Sequence, residues 1–383
     1  MRIAIDGRTI VSGKTGVGVY AERVVRSLLA IDRSNQYYLF LIEPLKDLQA
    51  PNLTKILIPG YNKLGLNRIW ENFLMPWFAI RKSIDLFFSP AYALPLLPFA
   101  YFKHKGERRI RYVVTIHDLI GLLFPETFTP KMYLWQKIFV ANAPKRADRI
   151  ITGSHATKAD FLKLHPIDER KITVIYHSVD EDFQPIADKG ELDRVRRLLG
   201  LPEKIILYVG TVEPRKNIAT LAEAFAMLPP ETRNDYTLVI AGRPGWFVES
   251  INARIAKLHL ADKIKFLGYV ERTNLPALYN LATVFAYPSV HEGFGFPPLE
   301  AMSCGAPVVC SNTSSFPEVV GDAAIMVDPH SVGEMAQALE RVLSSGSLRS
   351  ELRAKGLTRS KLFSAQKTAQ ETLRVFEEVM KDR

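Results

Sequence analysis

Apolar residues along this chain fall into two alternating patterns. Short blocks rich in β-branched and aromatic residues predict buried strands. Between them lie stretches whose apolar positions return every three or four residues, which predict amphipathic helices. Residues 3–5, 37–42, 55–58, 85–88, 111–116, 149–152 and 171–175 read as strands, with helical patterns between several of them, the first at about 19–30. The scheme restarts near residue 177. A short charged helix at 191–200 leads to a strand at 205–209 and a helix from about 218; strands follow at 236–241, 265–267, 284–287, 307–310 and 325–327. Amphipathic helices at 332–344 and 364–381 close the chain. Strands alternating with helices predict an α/β protein with parallel sheets. The restart predicts two Rossmann-like, doubly wound domains, 1–178 and 179–363.

Composition adds limits. At 383 residues, with 47% hydrophobic and 23% charged residues, the chain has the make-up of two ordinary globular domains. Two cysteines, Cys304 and Cys310, support neither a disulfide framework nor a zinc site and point to a reducing, cytoplasmic setting. The apolar start at Met1 is too short for a signal peptide and reads as the first strand. The nearest candidate for a membrane span, residues 86–102, is interrupted by Pro90, Pro95 and Pro98.

Charge is uneven. Of 50 Lys+Arg and 40 Asp+Glu, residues 1–180 hold 26 and 15, so the first half carries the whole excess of +10. That half is expected to face something anionic, a lipid surface or nucleic acid. Aromatics lie among its bases: Arg68, Trp70, Phe73, Trp77, Phe78, Arg81 and Lys82, then Tyr101, Phe102, Lys103, Lys105, Arg108, Arg109 and Arg111. The helical spacing of Trp70, Phe73, Leu74 and Trp77 equally fits an ordinary core face. The run from Lys103 to Arg111 is either a solvated loop or a peripheral membrane contact.

The densest chemistry is the stretch His291-Glu-Gly-Phe-Gly-Phe-Pro-Pro-Leu-Glu-Ala-Met302. It follows a buried strand. Gly293 and Gly295 free the backbone for close approach, and Pro297 and Pro298 suit a first helical turn. Strand, glycine loop and helix N-terminus together make a seat for an anion. Glu292 and Glu300 flank it, and each carboxylate is able to accept a sugar or ribose diol. Taken alone, Glu300 equally reads as a first-turn residue complementing the helix dipole. A second cluster, Gly210-Thr-Val-Glu-Pro-Arg-Lys-Asn217, sets Arg215 and Lys216 between a strand and a helix, where they suit a diphosphate. A third, Val113-Val-Thr-Ile-His117-Asp118, ends a strand on a polar pair. Gly13, Gly16 and Gly18 form a loop whose spacing runs opposite to the dinucleotide fingerprint. The Asp180-Glu-Asp182 run sits in a linker and is a poor metal site.

The 291–302 stretch resembles the donor-site signature of the fourth family of retaining glycosyltransferases. The resemblance is densest over about 205–330 and extends to Ser314-Ser-Phe-Pro-Glu318 and Val327-Asp-Pro329. It implies the GT-B fold: two Rossmann-like domains facing a cleft, with a last helix, 364–383, bracing the first domain. It implies transfer of a sugar from a nucleotide diphosphate with retention, on the face the phosphate leaves, without a metal or other cofactor. Carried over residue by residue, it makes Glu292, His117 and Lys216 catalytic. Gly16, Gly18, Gly210, Arg215, Lys216, Gly293, Phe294, Gly295, Phe296 and Glu300 become donor-binding, with Glu300 on the ribose. Thr211 stands where many relatives have Arg, with Arg215 as the substitute, and His177-Ser178 where many have Asn-Gly. The motif wording is similar to bacterial mannosyltransferases, which favours GDP-mannose over a UDP-sugar. The expected acceptor is a polysaccharide or lipid-linked glycan, met in the cytoplasm at the inner membrane face, with no nucleic acid as partner. A nucleotide-sugar epimerase of this fold is the rival enzyme, and a basic membrane- or nucleic-acid-binding protein the non-enzymatic one.

Overall fold

A computed structural model of the chain describes residues 1–12, 16–58, 70–92, 94–95 and 109–381. Gly13, Arg68, Tyr101, Phe102, Lys103, Lys105 and Arg108 lie outside them. The chain divides into two compact units, Met1–Ser178 together with Ser364–Arg383, and Val179–Phe363.

The first unit is built on seven parallel strands: β1 (Arg2–Asp6), β2 (Gln36–Leu41), β3 (Leu53–Leu57), β4 (Leu86–Ser89), β5 (Arg111–Ile116), β6 (Arg149–Thr152) and β7 (Ile172–Val174), in the order β3-β2-β1-β4-β5-β6-β7. The chain runs outward to β3 and then returns to lay β4 beside β1. Alternate strand residues serve opposite faces. Phe87 of β4 joins a core with Met75 and Ala79 of the Met75–Arg81 helix and Val140 and Ala143 of the Pro130–Arg146 helix. Phe88 points the other way, its ring 5.2 Å from Phe376 on the closing helix, Ala365–Lys381. The same helix anchors its start through Thr368, whose hydroxyl donates to the Tyr176 carbonyl at 2.8 Å.

Two expectations for this unit are corrected. Gly16 and Gly18 belong to a helix, Gly16–Ile31, rather than to the loop before it, so they occupy its first turn. Trp70, Phe73, Leu74 and Trp77 do not form a core face: Phe73 is 50% and Trp77 51% exposed, while Asn72, Met75, Pro76 and Ala79 are buried. The reason is local. Trp70–Leu74 is a π-helical turn, and its wider winding rotates the following residues out of the register that ordinary helical spacing predicts.

The second unit has six parallel strands: β8 (Ile205–Val209), β9 (Thr237–Ala241), β10 (Ile264–Gly268), β11 (Val284–Tyr287), β12 (Val308–Ser311) and β13 (Ala324–Val327), ordered β10-β9-β8-β11-β12-β13. It repeats the winding of the first and reverses between β8 and β11. The Val332–Ser344 helix buries Met335, Ala338, Leu339, Val342 and Leu343, the face its periodicity predicts, and Ser331 caps it by accepting from the Glu334 amide at 3.1 Å. A further helix, Gly346–Ser360, escaped the pattern because its contact face is made of Leu352, Gly356 and Ser360. A Cβ at Gly356 would stand 3.3 Å from Met302, so a small residue does the packing and leaves no apolar period. Both cysteines are buried and free. Among the described residues no helix is long and apolar enough to cross a membrane.

Phe376 is fully buried against the first sheet. Phe376→Ala is expected to destabilise that unit by about 3–5 kcal/mol in urea unfolding. A change below about 1 kcal/mol would mean that the closing helix adds little to this core.

Candidate functional site

The reversal in the second unit puts the carboxyl ends of β8 and β11 side by side, the position at which open α/β sheets bind ligands. From β8 the chain passes Gly210, where a Cβ would stand 2.7 Å from the Tyr208 hydroxyl, and enters a tight turn, Pro214–Lys216. Asn217 then takes φ 57°, a conformation its short amide tolerates, and starts the Ile218–Ala226 helix. Its Nδ2 donates to the carbonyls of Pro329 at 2.6 Å and Pro288 at 3.3 Å. From β11 the chain runs through Pro288 to Gly295, whose φ of 97° opens the Phe296–Ser303 helix. The Val290 amide donates to the Arg215 carbonyl at 3.0 Å, stitching the two loops together.

Glu292 sits at that seam. Its Oε1 receives Lys216 Nζ at 2.5 Å, the Ser289 hydroxyl at 2.7 Å and the Tyr287 hydroxyl at 3.0 Å, and pairs with Arg215 Nη1 at 2.9 Å. Among the described residues nothing donates to Oε2. Lys216 also donates to the Tyr287 hydroxyl at 2.8 Å, which leaves one of its three N–H groups without a described partner. Arg215 is engaged by protein on both terminal nitrogens: Nη1 donates to the His291 carbonyl at 2.7 Å and Nη2 to Glu213 at 2.6 Å. Arg215, expected as a diphosphate fork, braces the two loops through these bonds.

Two cations and two carboxylates thus share one partly buried space. Burial by itself would raise Glu292, but Arg215 and then Lys216 outweigh it and hold the carboxyl down at about 2. Burial, reinforced by Arg215, pushes Lys216 below its ordinary value, against the pull of Glu292 and Glu213. Burial likewise raises Glu213, with Arg215 and Lys216 opposing. The cluster favours ionised Glu292 and makes its lysine a less heavily solvated cation.

Glu300 lies in the second turn of its helix rather than the first, so the dipole reading does not apply. It is 7% exposed, and the Tyr279 hydroxyl donates to its Oε2 at 3.0 Å. The Phe294 ring is buried and packs 5.3 Å from Phe296 and 5.8 Å from Phe363. Gly293 and Gly295 stand in the seam loop. Sequence reasoning missed Glu213, Tyr287, Ser289 and Tyr279. Glu213 lies inside the quoted 210–217 cluster, its signal an acid two positions before Arg215; the other three carry no signal outside the fold.

In the first unit, His117 follows β5 and is 7% exposed. Its Nε2 lies 2.7 Å from the Pro90 carbonyl, which only accepts, so that nitrogen carries the proton. Nδ1 then accepts from His177 Nε2 at 3.3 Å. Tyr20 packs on both rings, 4.8 Å from His117 and 4.2 Å from His177, and a Cβ at Gly153 would fall 2.5 Å from His177. Burial lowers the pKa of both histidines. His117, expected to be catalytic, spends both nitrogens inside its own unit, and His177, left unassigned from sequence, is its partner. Asp118 accepts from Gln136 at 3.1 Å and from the Ile120 amide at 3.2 Å. Asp180 of the Asp-x-Asp run pairs with Arg272.

The family model described as Glycosyltransferase Family 4 matches residues 14–183, and that described as Glycosyl transferases group 1 matches residues 191–359. O-antigen chain mannosyltransferase B of Escherichia coli is 30% identical over 396 residues, spanning 98% of this chain and 99% of that protein. The serotype-specific mannosyltransferase WbdA of Escherichia coli is 35% identical over 262 residues, covering 67% of this chain and 32% of its own length. In three dimensions the chain is similar to Anabaena HepE in complex with UDP and glucose, with a TM-score of 0.75 and 19% identity over 99% of this chain and 100% of that one; the likeness is one of fold.

Folded Glu292 titrates near 2, below the roughly 4.3 of an exposed glutamate, so its stabilisation is complete above about pH 5 and is lost as pH falls toward 2. Glu292→Gln should lower stability at pH 7 by on the order of 3 kcal/mol, and the gap to the unmodified protein should narrow to about half by pH 3 and close toward pH 2. Melting curves across that range test this. A gap that does not vary with pH would show that the ionised carboxylate is not what holds the loops.

Proposed function

The chain belongs to glycosyltransferase family 4, and from its site we propose that it moves mannose from GDP-mannose, with retention at the anomeric carbon, onto a polysaccharide or lipid-linked glycan. Membership makes it a glycosyltransferase, and similarity to proteins named O-antigen mannosyltransferases supports hexosyl transfer in polysaccharide building. One observation carries the reading: Glu292 is fixed through Oε1 while Oε2 has no described donor, beside a lysine with an N–H to spare.

The roles follow from those atoms. Oε2 of Glu292 accepts a hydroxyl of the transferred sugar. Lys216 meets the diphosphate, where negative charge grows as the glycosidic bond breaks, and a partly desolvated ammonium acts there more strongly than one in water. Amides at the start of the Phe296–Ser303 helix add their dipole to the same phosphate. Arg215, braced on Glu213, keeps Glu292 and Lys216 in register. Glu300, held by Tyr279, takes the ribose. No metal is needed for this charge balance. A UDP-sugar is the alternative donor, and Anabaena HepE was solved with UDP and glucose.

Thermal shift with GDP, UDP, ADP and their sugars tests the reading. At about a hundredfold excess over Kd, a nucleotide that binds only the folded protein adds about 2.7 kcal/mol, a rise of a few degrees. GDP and GDP-mannose should give it, and Lys216→Ala should abolish it. A rise with UDP alone would reassign the donor. No rise with any nucleotide, or an undiminished one in Lys216→Ala, would sink the site.

A further inference from the structure

Tyr287 is the last residue of β11, is wholly buried, and stands in register with Cys310 of β12. Its ring stacks on Tyr208 at 5.6 Å and on Phe285 at 5.8 Å, within 19° of parallel to each, and meets Phe316 at 5.9 Å and 79°. These contacts account for the ring, and a phenylalanine would make them as well. They do not account for the hydroxyl. It accepts from Lys216 Nζ at 2.8 Å and donates to Glu292 Oε1 at 3.0 Å, so it bonds both of the groups that keep capacity for a ligand. Burial, and then the charge of Glu292, holds its pKa well above the ordinary phenol value, so the hydroxyl stays protonated and able to make both bonds.

Lys216 and Glu292 are carried by loops, Tyr287 by a strand flanked by β8 and β12. A group on a strand is held more precisely than one on a loop. An ammonium bonded to Glu292 alone would turn about that bond. With the tyrosine oxygen as second acceptor, two of its three N–H groups are fixed and the third has one direction. Ser289 is the internal comparison: its hydroxyl donates to the same Oε1 at 2.7 Å and makes no described bond to Lys216.

We infer that Tyr287 is a positioning residue for Lys216: from the end of β11 its hydroxyl orients the ammonium and keeps Glu292 Oε1 beside it, so that the N–H left for a phosphate has a fixed direction. Its part in sugar transfer rests on the reading of Lys216 as the group that meets the diphosphate. The orientation is a property of the protein without ligand and is tested there. The charged groups facing Lys216 are Arg215 and Glu213 from its own loop and Glu292 from the loop after β11. Arg215 disfavours the charged lysine, Glu292 and Glu213 favour it, and the tyrosine oxygen favours it by accepting its hydrogen bond. Removing that oxygen therefore makes the ammonium easier to deprotonate.

The test follows Nζ of Lys216 by NMR through a pH titration of the full-length protein carrying isotope-labelled lysine, the signal assigned by its loss in Lys216→Ala. Tyr287→Phe keeps the stacked ring and should lower the Lys216 pKa by roughly one unit, whereas Ser289→Ala should not lower it. Should Tyr287→Phe fail to fold, Tyr287→3-fluorotyrosine, whose oxygen is a poorer acceptor, should move the lysine in the same direction. With GDP-mannose as the donor probe, Tyr287→Phe should lower kcat roughly tenfold to a hundredfold, change KM less than about threefold, and move the alkaline limb of the pH–rate profile downward with the lysine. A Lys216 pKa that loss of the tyrosine oxygen leaves in place, one that Ser289→Ala lowers equally, or a kcat within about twofold of the unmodified protein would each overturn the inference. A shifted lysine in a protein that turns over no nucleotide sugar would bear out the orientation and count against the donor reading instead.

Discussion

A single carboxylate oxygen holds the second unit's site together. Oε1 of Glu292 gathers an ammonium, a guanidinium and two hydroxyls that come from two different loops. Those loops leave neighbouring strands at the reversal of the sheet, and the Val290 amide on the Arg215 carbonyl and Asn217 on Pro288 tie them as well. Remove the charge at Oε1 and Arg215 and Lys216 become like charges in a space only partly open to water, which costs both repulsion and desolvation. The rest of the site is arranged to keep that oxygen where it is. Asn217 in its left-handed turn ties the first loop to Pro288 and Pro329, Gly295 swings the second into its helix, and Glu213 occupies the far end of Arg215.

The two units use one winding for different purposes. In the second, the reversal of strand order is filled with groups that keep unspent capacity toward a ligand. In the first, the polar groups at strand ends are satisfied from within: Asp6 by Arg8, and His117 by Pro90 and His177. Arg8 also reaches Glu71 in the π-helical turn. Phe73, in that turn, and Trp77, after it, are exposed.

Much of this was legible beforehand. The strand, glycine loop and helix around Glu292 and the one around Lys216 were apparent from spacing, because Gly, Pro and Asn at a strand end leave the backbone few conformations. Contacts of individual side chains were not legible from residue type. Arg215 looked like a phosphate fork and is a brace; Phe294 looked like part of a ligand loop and packs beneath it; His117 looked catalytic and is engaged on both nitrogens. Each of these contacts has one source. A residue's type states what it is able to bond, whereas its neighbours in space decide what it does bond.

From residue order alone came the alternation of strand and helix, the restart near residue 177, the carboxylate-flanked loop and the basic first half, since period, breaker residues and net charge are properties of the chain itself. Only the tertiary structure decided that Glu213 and Tyr287 complete the charge cluster, that Glu292 offers one oxygen rather than two, and that Phe73 and Trp77 look outward while Trp70 and Phe78 pack on the core. Those outcomes depend on partners up to 76 positions away and on the pitch of a single π-helical turn. The first arises only when the sheet order brings distant loops within hydrogen-bonding reach, and the second is a local departure from the regular helical period that spacing assumes.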